Sequence, residues 1–199
     1  MTDGETVHYA ASQELAGLDL QVVRASWPHY TTARIEQRLI DVRHTRPLAR
    51  SVNRQRLAHA RRLLTDLVEA QVVPFSSHFQ MRPAGVSICF PPILEQVDDQ
   101  LLVVDGMHRI MAAAAMGLEQ IVATVVSSPT LPPPTVSPCA WPEVKVVDTK
   151  QAREEKFPGF DADLFRPTAK VLDGLRDLHP STAAAVEAIR RDCRTTTAR

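Results

Sequence analysis

The sequence predicts an α+β domain, in which short buried strands and amphipathic helices share one core. The first observation is a strand–turn–helix unit: an apolar run at 101–104, the turn Asp105-Gly106 and an alanine-rich stretch. The second is a leucine repeat at helical spacing over 57–67. The third is a pair of short apolar segments, 93–97 and 101–104, whose polar connection predicts a β-hairpin.

The elements before the hairpin follow from local patterns. Residues 1–11 show no periodic pattern and are expected to be poorly ordered, and 13–25 are expected to form a short helix. Residues 34–42 fit a strand. Ser51 has the residue type of a helix N-cap and is expected to start the leucine-repeat helix. Prolines make 72–85 irregular.

The elements after the hairpin begin with the alanine-rich helix, which Gly117 is expected to cap. The β-branched run 120–126 predicts a buried strand. Residues 144–147 predict a weak strand, and 165–178 predict a helix. A last helix is expected to start at Ser181 or Thr182.

A cluster of prolines divides the chain at 128–143. Such a stretch cannot form a regular helix or a central strand, so we expect an extended linker that wraps a surface or separates two parts. The resulting organisation is an N-terminal extension (1–33), a central domain (34–127), the linker (128–143) and a C-terminal helical extension (144–199).

Composition restricts the function classes. The 199 residues fit one domain with appended structure, and 23 basic against 23 acidic side chains give a net charge of zero. A nucleic-acid partner is therefore not expected, because a basic stripe is missing. No apolar run suggests a membrane span, and the N-terminus lacks a signal-peptide pattern. Three separated cysteines and unclustered histidines predict a reduced, cytoplasmic protein without a transition-metal site.

The turn at 105–109 carries the most chemistry. The start of a helix offers free N–H groups and a positive dipole end, and His108 and Arg109 would add donors there. A guanidinium can bind two phosphate oxygens in parallel, so the segment predicts a phosphate site. The same pattern also fits a structural turn in which Asp105 bonds backbone N–H groups and Arg109 is solvated.

The segment Asp105-Gly106-Met107-His108-Arg109 resembles the ParB/sulfiredoxin superfamily, and the similarity extends over roughly 34–127. The order of strand, charged loop, helix, hairpin, turn, alanine-rich helix and strand also fits. The resemblance implies a small ParB/sulfiredoxin-like domain, with a mixed sheet packed by helices. It also implies that the turn holds nucleotide phosphates.

Differences from the known branches select among the functions of the superfamily. Met107 stands where sulfiredoxins place a nucleophilic cysteine, and a thioether is not such a nucleophile. The chain also lacks the Gly-Glu-Arg-Arg type of turn and the helix-turn-helix of the chromosome-partition proteins. The turn most resembles the branch that includes ParB-like free serine kinases.

That resemblance implies which residues bind the cofactor. Gly106, Met107, His108 and Arg109 would hold the phosphates of ATP or ADP. Asp105 would bind Mg²⁺ or orient the substrate hydroxyl. If the superfamily fold is right, the basic loop with Arg43 and Arg46 faces this turn and completes the site.

It also implies which residues act on the substrate. The branch places its catalytic carboxylate in the loop that corresponds to 41–50, which here contains no glutamate. Asp41 or His44 could activate the hydroxyl, and Asp105 and His108 complete the predicted catalytic set.

The expected function is phosphoryl transfer from ATP or ADP to a small hydroxylated metabolite, such as a free amino acid. The alternative is a module that binds a nucleotide or phosphorylated metabolite and regulates a partner or DNA, without catalysis. A ParB-like nuclease ranks third, since only Asp98, Asp99 and Asp105 lie close in sequence. A homodimer is one option for assembly.

Overall fold

The structure is a computed structural model that describes residues 8–11, 13–82, 85–133, 135, 137–149 and 151–166. Its helices are α1 (Gln13–Ser26), α2 (Arg54–Glu69), α3 (Met107–Ala115) and α4 (Arg153–Lys156). Its strands are β1 (His8–Ala11), β2 (Arg34–Asp41), β3 (Thr45–Pro47), β4 (Ser51–Asn53), β5 (His78–Arg82), β6 (Gly85–Cys89), β7 (Ile93–Val97), β8 (Gln100–Asp105), β9 (Gln120–Ser127) and β10 (Lys145–Val147).

A five-stranded mixed sheet forms the centre, in the order β2-β9-β7-β8-β3. The pairs β2–β9 and β7–β8 are antiparallel, whereas β7–β9 and β3–β8 are parallel. Two smaller sheets accompany it: β1-β5-β6 is antiparallel, and β4 pairs with β10 in parallel. The chain is thus an α+β protein with a mixed sheet and packed helices, as the sequence predicts.

Helices bury apolar side chains in two clusters. Leu64 of α2 and Ile110 of α3 belong to the larger cluster, together with Val125 of the central sheet. Val23 of α1 and Val126 belong to a smaller cluster. Because Val125 and Val126 are neighbours on β9, they point to opposite faces of the sheet, so the two clusters lie on its two sides.

Several predicted elements are confirmed. The hairpin joins β7 to β8, and the alanine-rich stretch forms α3. Gly117 follows the helix with φ +74°, a left-handed conformation that glycine adopts without steric strain. The helix at 13–25 and the strands at 34–42, 120–126 and 144–147 are present with small shifts of their ends.

The N-cap prediction at Ser51 is wrong. Ser51 and Val52 lie in β4, where they pair with β10, so the helix starts later. Asn53 is the N-cap, and its side chain accepts a hydrogen bond from the Arg56 N–H (3.1 Å). Because β4 pairs with a strand from a distant part of the chain, residues 51–53 are extended and the helix starts after them.

Two segments predicted to lack structure contain strands. Residues 8–11 form β1, and 78–82 form β5 within the segment predicted to be irregular. The two strands pair with each other, His8 opposite Met81. Each is short and has no clear alternation, so the pairing between distant segments defines them.

The proline-rich stretch runs along the surface of the domain. The Thr130 N–H donates to the carbonyl of His29 (3.3 Å), and the Cys139 N–H donates to that of Pro47 (3.0 Å). The division of the chain at this stretch stays a prediction. The predicted C-terminal helices lie almost wholly outside the described residues, which end at Arg166, and Phe165 and Arg166 are not helical.

Among the helices within the described residues, none combines the length and the apolarity that a bilayer crossing needs.

Candidate functional site

The turn between β8 and α3 depends on a glycine. Gly106 has φ +89°, and a Cβ atom at this position would lie 2.7 Å from the Cβ of Pro92. An L-residue would therefore meet both backbone strain and a clash. Gly106 is also the N-cap of α3, and no side chain caps the helix. The helix α3 and its first free N–H groups thus begin at a turn whose backbone conformation requires glycine.

Arg109 ties this turn to the preceding strands. Its guanidinium donates to Asp105 Oδ2 (2.9 Å) and to the carbonyl of Phe90, and it lies 5.9 Å from the centre of the Phe75 ring. The ion pair retains some solvent contact, with side-chain exposures of 20% for Arg109 and 30% for Asp105. A guanidinium has five N–H donors, and within the described residues its acceptors are Asp105 and the Phe90 carbonyl, which leaves donors for a ligand.

His108 is held as a neutral imidazole. Its Nε2 accepts a hydrogen bond from the Asn53 N–H (3.1 Å), so the ring proton lies on Nδ1. Burial, together with the charges of Lys156 and Arg56, lowers the pKa of His108 to about 4. At neutral pH, His108 therefore offers a donor with a fixed tautomer.

Lys156 brings a cation from the C-terminal part of the chain to this site. Burial and the charge of Arg56 lower the pKa of Lys156. Its backbone is fixed, because its carbonyl accepts the Arg50 N–H (2.8 Å) and its N–H donates to Ala152 (3.1 Å). The ammonium also lies 5.5 Å from the centre of the Phe157 ring.

The basic cluster at the start of α3 consists of His108, Arg56 and Lys156. The Asn53 backbone N–H donates to His108 and the Asn53 side chain accepts from the Arg56 N–H, so His108 and Arg56 meet at the start of α2. The backbone of Lys156 is bonded to the nearby Arg50. Asp105 offsets part of this charge. Basic side chains around a helix N-terminus form an arrangement that attracts anions, and phosphate groups match it well.

The predicted basic loop lies elsewhere. The Val42 N–H donates to the carbonyl of Glu119 (3.0 Å), beyond the C-terminal end of α3. Asp41 pairs with Arg43 (2.9 Å) and lies 4.0 Å from His44, and both basic side chains are largely exposed. The structure thus places these three residues at the far end of α3 from the turn.

Arg46 follows that group along the chain. It lies exposed on β3, at the register position of Leu102 on β8. Of the predicted cofactor residues, Gly106, Met107, His108 and Arg109 lie together at the turn, and Met107 is buried. The assignment of Arg43, Arg46, Asp41 and His44 to the site stays a prediction.

A second polar cluster lies beneath the turn. Asp19 of α1 is buried and accepts hydrogen bonds from Gln37 (2.7 Å) and Thr124 (3.3 Å). Burial raises the pKa of Asp19 to about 7, against the opposing effects of these bonds and of Arg109. Burial also raises the pKa of the Cys89 thiol.

A third ionic cluster lies inside the protein. Arg166 pairs with Glu95 (2.8 Å), both side chains have 0% exposure, and the Tyr30 hydroxyl donates to the same carboxylate. Arg166 also donates to the carbonyls of Leu131 (3.2 Å) and Pro132 (2.9 Å). These bonds fasten the proline-rich stretch to the central strand β7, so the cluster is structural.

Sequence reasoning missed the residues that complete the site. Arg56 lies on the predicted leucine-repeat helix, whose pattern does not mark it. Lys156 lies beyond the proline-rich stretch, where no motif marks it. Asn53 is the missed residue with a usable local signal, since asparagine is a strong N-cap type.

No model of a known protein family matches the chain, and no curated protein is detectably similar. Among solved structures, protein Atu1540 from Agrobacterium tumefaciens is similar at 14% identity and a TM-score of 0.30. The match covers 47% of this chain and 39% of that protein. A similarity of this size says nothing about the function of this chain.

Proposed function

We propose that the protein binds ATP or ADP at the 105–109 turn and transfers a phosphate group to a small hydroxylated metabolite. The observation that supports the proposal is the basic cluster of His108, Arg56 and Lys156 at the start of α3. Burial, followed by the charge of Arg56, disfavours the charged form of Lys156 and lowers its pKa. A bound phosphate would offset the repulsion between Lys156 and Arg56.

Each group has a distinct part in this proposal. The first N–H groups of α3 and the Nδ1–H of His108 would donate to phosphate oxygens. Lys156 and Arg56 would neutralise the phosphate charge, and the free donors of Arg109 would reach the same anion. The ring of His108 stays neutral, so it would act as a donor.

Asp105 is the predicted metal ligand. Its surroundings fit a metal ion only if the substrate phosphates supply the other ligands. It is ion-paired with Arg109, and within the described residues no three His, Cys, Asp or Glu side chains could hold a metal ion together. Mg²⁺ is commonly bound by one or two carboxylates and the substrate phosphates, and there it neutralises charge during transfer. Asp105 would supply one carboxylate to such an arrangement and would orient the acceptor hydroxyl.

The test of nucleotide binding is calorimetry with ATP, ADP and CTP, with and without Mg²⁺. We expect ATP or ADP to bind, and we expect Arg56→Gln to weaken binding about tenfold. Arg62→Gln is the matched control, because Arg62 lies exposed on the same helix. Equal affinity in the two variants would contradict the assignment of Arg56, and no binding in the unaltered protein would overturn the proposal.

A second candidate is a nucleotide-binding module without catalysis. It is favoured by the position of Asp41 and His44 at the far end of α3, and by the engagement of Asp105 with Arg109. Incubation with ATP and a panel of hydroxylated amino acids, followed by mass spectrometry, separates the two. A phosphorylated acceptor supports the transferase, whereas nucleotide binding without turnover supports the module.

A further inference from the structure

The strand β2 forms an edge of the central sheet and is long for an edge strand. It runs over eight residues and pairs with β9 on one side. Among the residues that the structure describes, no strand pairs with its other side. A long open edge is a template for another strand, and proteins usually blunt it with charges or shorten it.

The charges on β2 alternate in a way that suits a second copy. Arg34, Glu36 and Arg38 lie on one face of the strand, as the two-residue repeat requires. Glu36 contacts Arg34 at 2.7 Å and Arg38 at 3.9 Å. All three side chains are partly or largely exposed, so they can contact a partner strand.

Leu39 provides the apolar contact. It is 56% exposed, although it lies in a strand whose neighbours Ile35 and Ile40 are buried. On the face that Leu39 shares with Ile35, a partner strand would cover it. Burial of an exposed leucine favours association.

We propose that two copies of this chain pair through their β2 edges, antiparallel and with the two-fold axis at Gln37. This register places Glu36 opposite Arg38 of the second copy, twice, and Leu39 opposite Ile35. An axis at residue 36 would place Glu36 opposite itself, and an axis at 38 would place Arg38 opposite itself. Like charges directly opposite are destabilising, so these two registers are excluded.

Axes at Ile35 and at Leu39 also place no like charges opposite each other. The axis at Ile35 pairs Arg34 with Glu36 of the second copy but leaves Leu39 in solvent, and the axis at Leu39 covers Leu39 but pairs none of these charges. The axis at Gln37 both pairs the charges and covers Leu39, which is why we favour it. The registers at Gln37 and Ile35 differ in whether Arg38 or Arg34 is opposite the carboxylate, and this difference is measurable.

Sedimentation velocity over a range of concentrations tests the proposal on the full chain. We expect a monomer–dimer equilibrium in which Glu36→Arg and Arg38→Glu each weaken dimerisation about tenfold or more, since attractive pairs become repulsive. The double variant with both reversals should restore the dimer. Arg34→Glu is the matched control, and it should change the dissociation constant by less than about threefold.

Leu39→Lys provides an independent variant. Leu39 is exposed, so the substitution should leave the fold intact, as circular dichroism would show, and it should abolish the dimer. A monomer at every concentration would overturn the proposal. That result is also the one expected if another segment of the chain covers this edge. A dimer that ignores the charge reversals, or that only Arg34→Glu disrupts, would overturn it as well.

Discussion

Two arginine–carboxylate pairs in this protein have opposite characters. Arg109 and Asp105 are four residues apart, keep side-chain exposures of 20% and 30%, and lie beside a basic cluster. Arg166 and Glu95 lie far apart in sequence, are fully buried, and receive a further hydrogen bond from Tyr30. The first pair has solvent access and spare donors, whereas protein groups surround the second.

The difference is the one we propose between an arginine that binds a ligand and one that is structural. A guanidinium with unused donors beside other cations can receive an anion, and its local pairing only orients it. Arg166 donates to one carboxylate and to backbone carbonyls of the proline-rich stretch and of Leu164, so it holds two parts of the chain together. Residue type alone does not distinguish the two.

The largest expected effect is on Arg166. Arg166→Met leaves the Glu95 carboxylate buried without its cation, and we expect a loss of about 3–5 kcal/mol in the free energy of unfolding. The double variant Glu95→Leu with Arg166→Met should lose clearly less, since no charge is left unpaired. Urea unfolding measures both. Equal losses in the two variants would show that packing, and not the ion pair, fastens the proline-rich stretch.

Arg109→Met tests the second of the two arginine–carboxylate pairs. The pair with Asp105 is partly solvated, so we expect a smaller loss of about 1–2 kcal/mol in stability and a large loss of nucleotide affinity. The same unfolding assay and calorimetry with ADP measure the two effects. A stability loss as large as that of Arg166→Met would make Arg109 primarily structural.

Gly106→Ala disturbs the turn that orients Arg109. The new Cβ meets Pro92 as well as the strain of a positive φ, so we expect a loss of about 2–4 kcal/mol in unfolding free energy. Gly117→Ala is the control, with φ +74° and no atom within 4 Å of the new Cβ. It should lose about 1 kcal/mol from strain alone. Thermal unfolding measures both losses. Equal losses would refute the close approach of the new Cβ to Pro92.

Asn53→Ala removes the cap of α2 next to the turn. The lost hydrogen bond to the Arg56 N–H should reduce the unfolding free energy by about 1 kcal/mol. Asn53→Asp keeps the cap and serves as the control. Denaturant unfolding that shows no difference between the two variants would indicate that the helix does not depend on this cap.

The pH dependence of stability distinguishes the groups around Arg109. The pKa of Asp19 is about 7 in the folded chain and 3.8 in the unfolded chain. Its contribution to the free energy of unfolding therefore falls as the pH rises between these two values. His108 behaves oppositely, because its folded pKa of about 4 lies below 6.5 and stability rises with pH between these values. Asp19→Asn should therefore gain stability relative to the unaltered protein from pH 4 to 7.

His108→Gln should remove the rising part of the profile, and unfolding measured at intervals of pH checks both variants. A profile unchanged by Asp19→Asn would mean that the carboxyl is ionised inside the protein.

The sequence allowed prediction of the parts that local chemistry determines. The hairpin, α3 with Gly117 after it, and the grouping of residues 105–109 all follow from short-range patterns. Short strands β1 and β5 could not be predicted, because pairing between distant segments creates them. For the same reason the sequence does not reveal the roles of Lys156 and Glu95, because the fold brings their partners from distant parts of the chain.

The most direct test of the proposed nucleotide site compares Lys156→Gln with Lys145→Gln in calorimetric titrations with ADP. Lys156 lies in the basic cluster, whereas Lys145 is an exposed lysine of the same C-terminal part. We expect Lys156→Gln to weaken ADP binding about tenfold or more and Lys145→Gln to leave it unchanged. Unchanged affinity in the Lys156→Gln variant, with its fold intact, would contradict the assignment of the phosphate site to the start of α3.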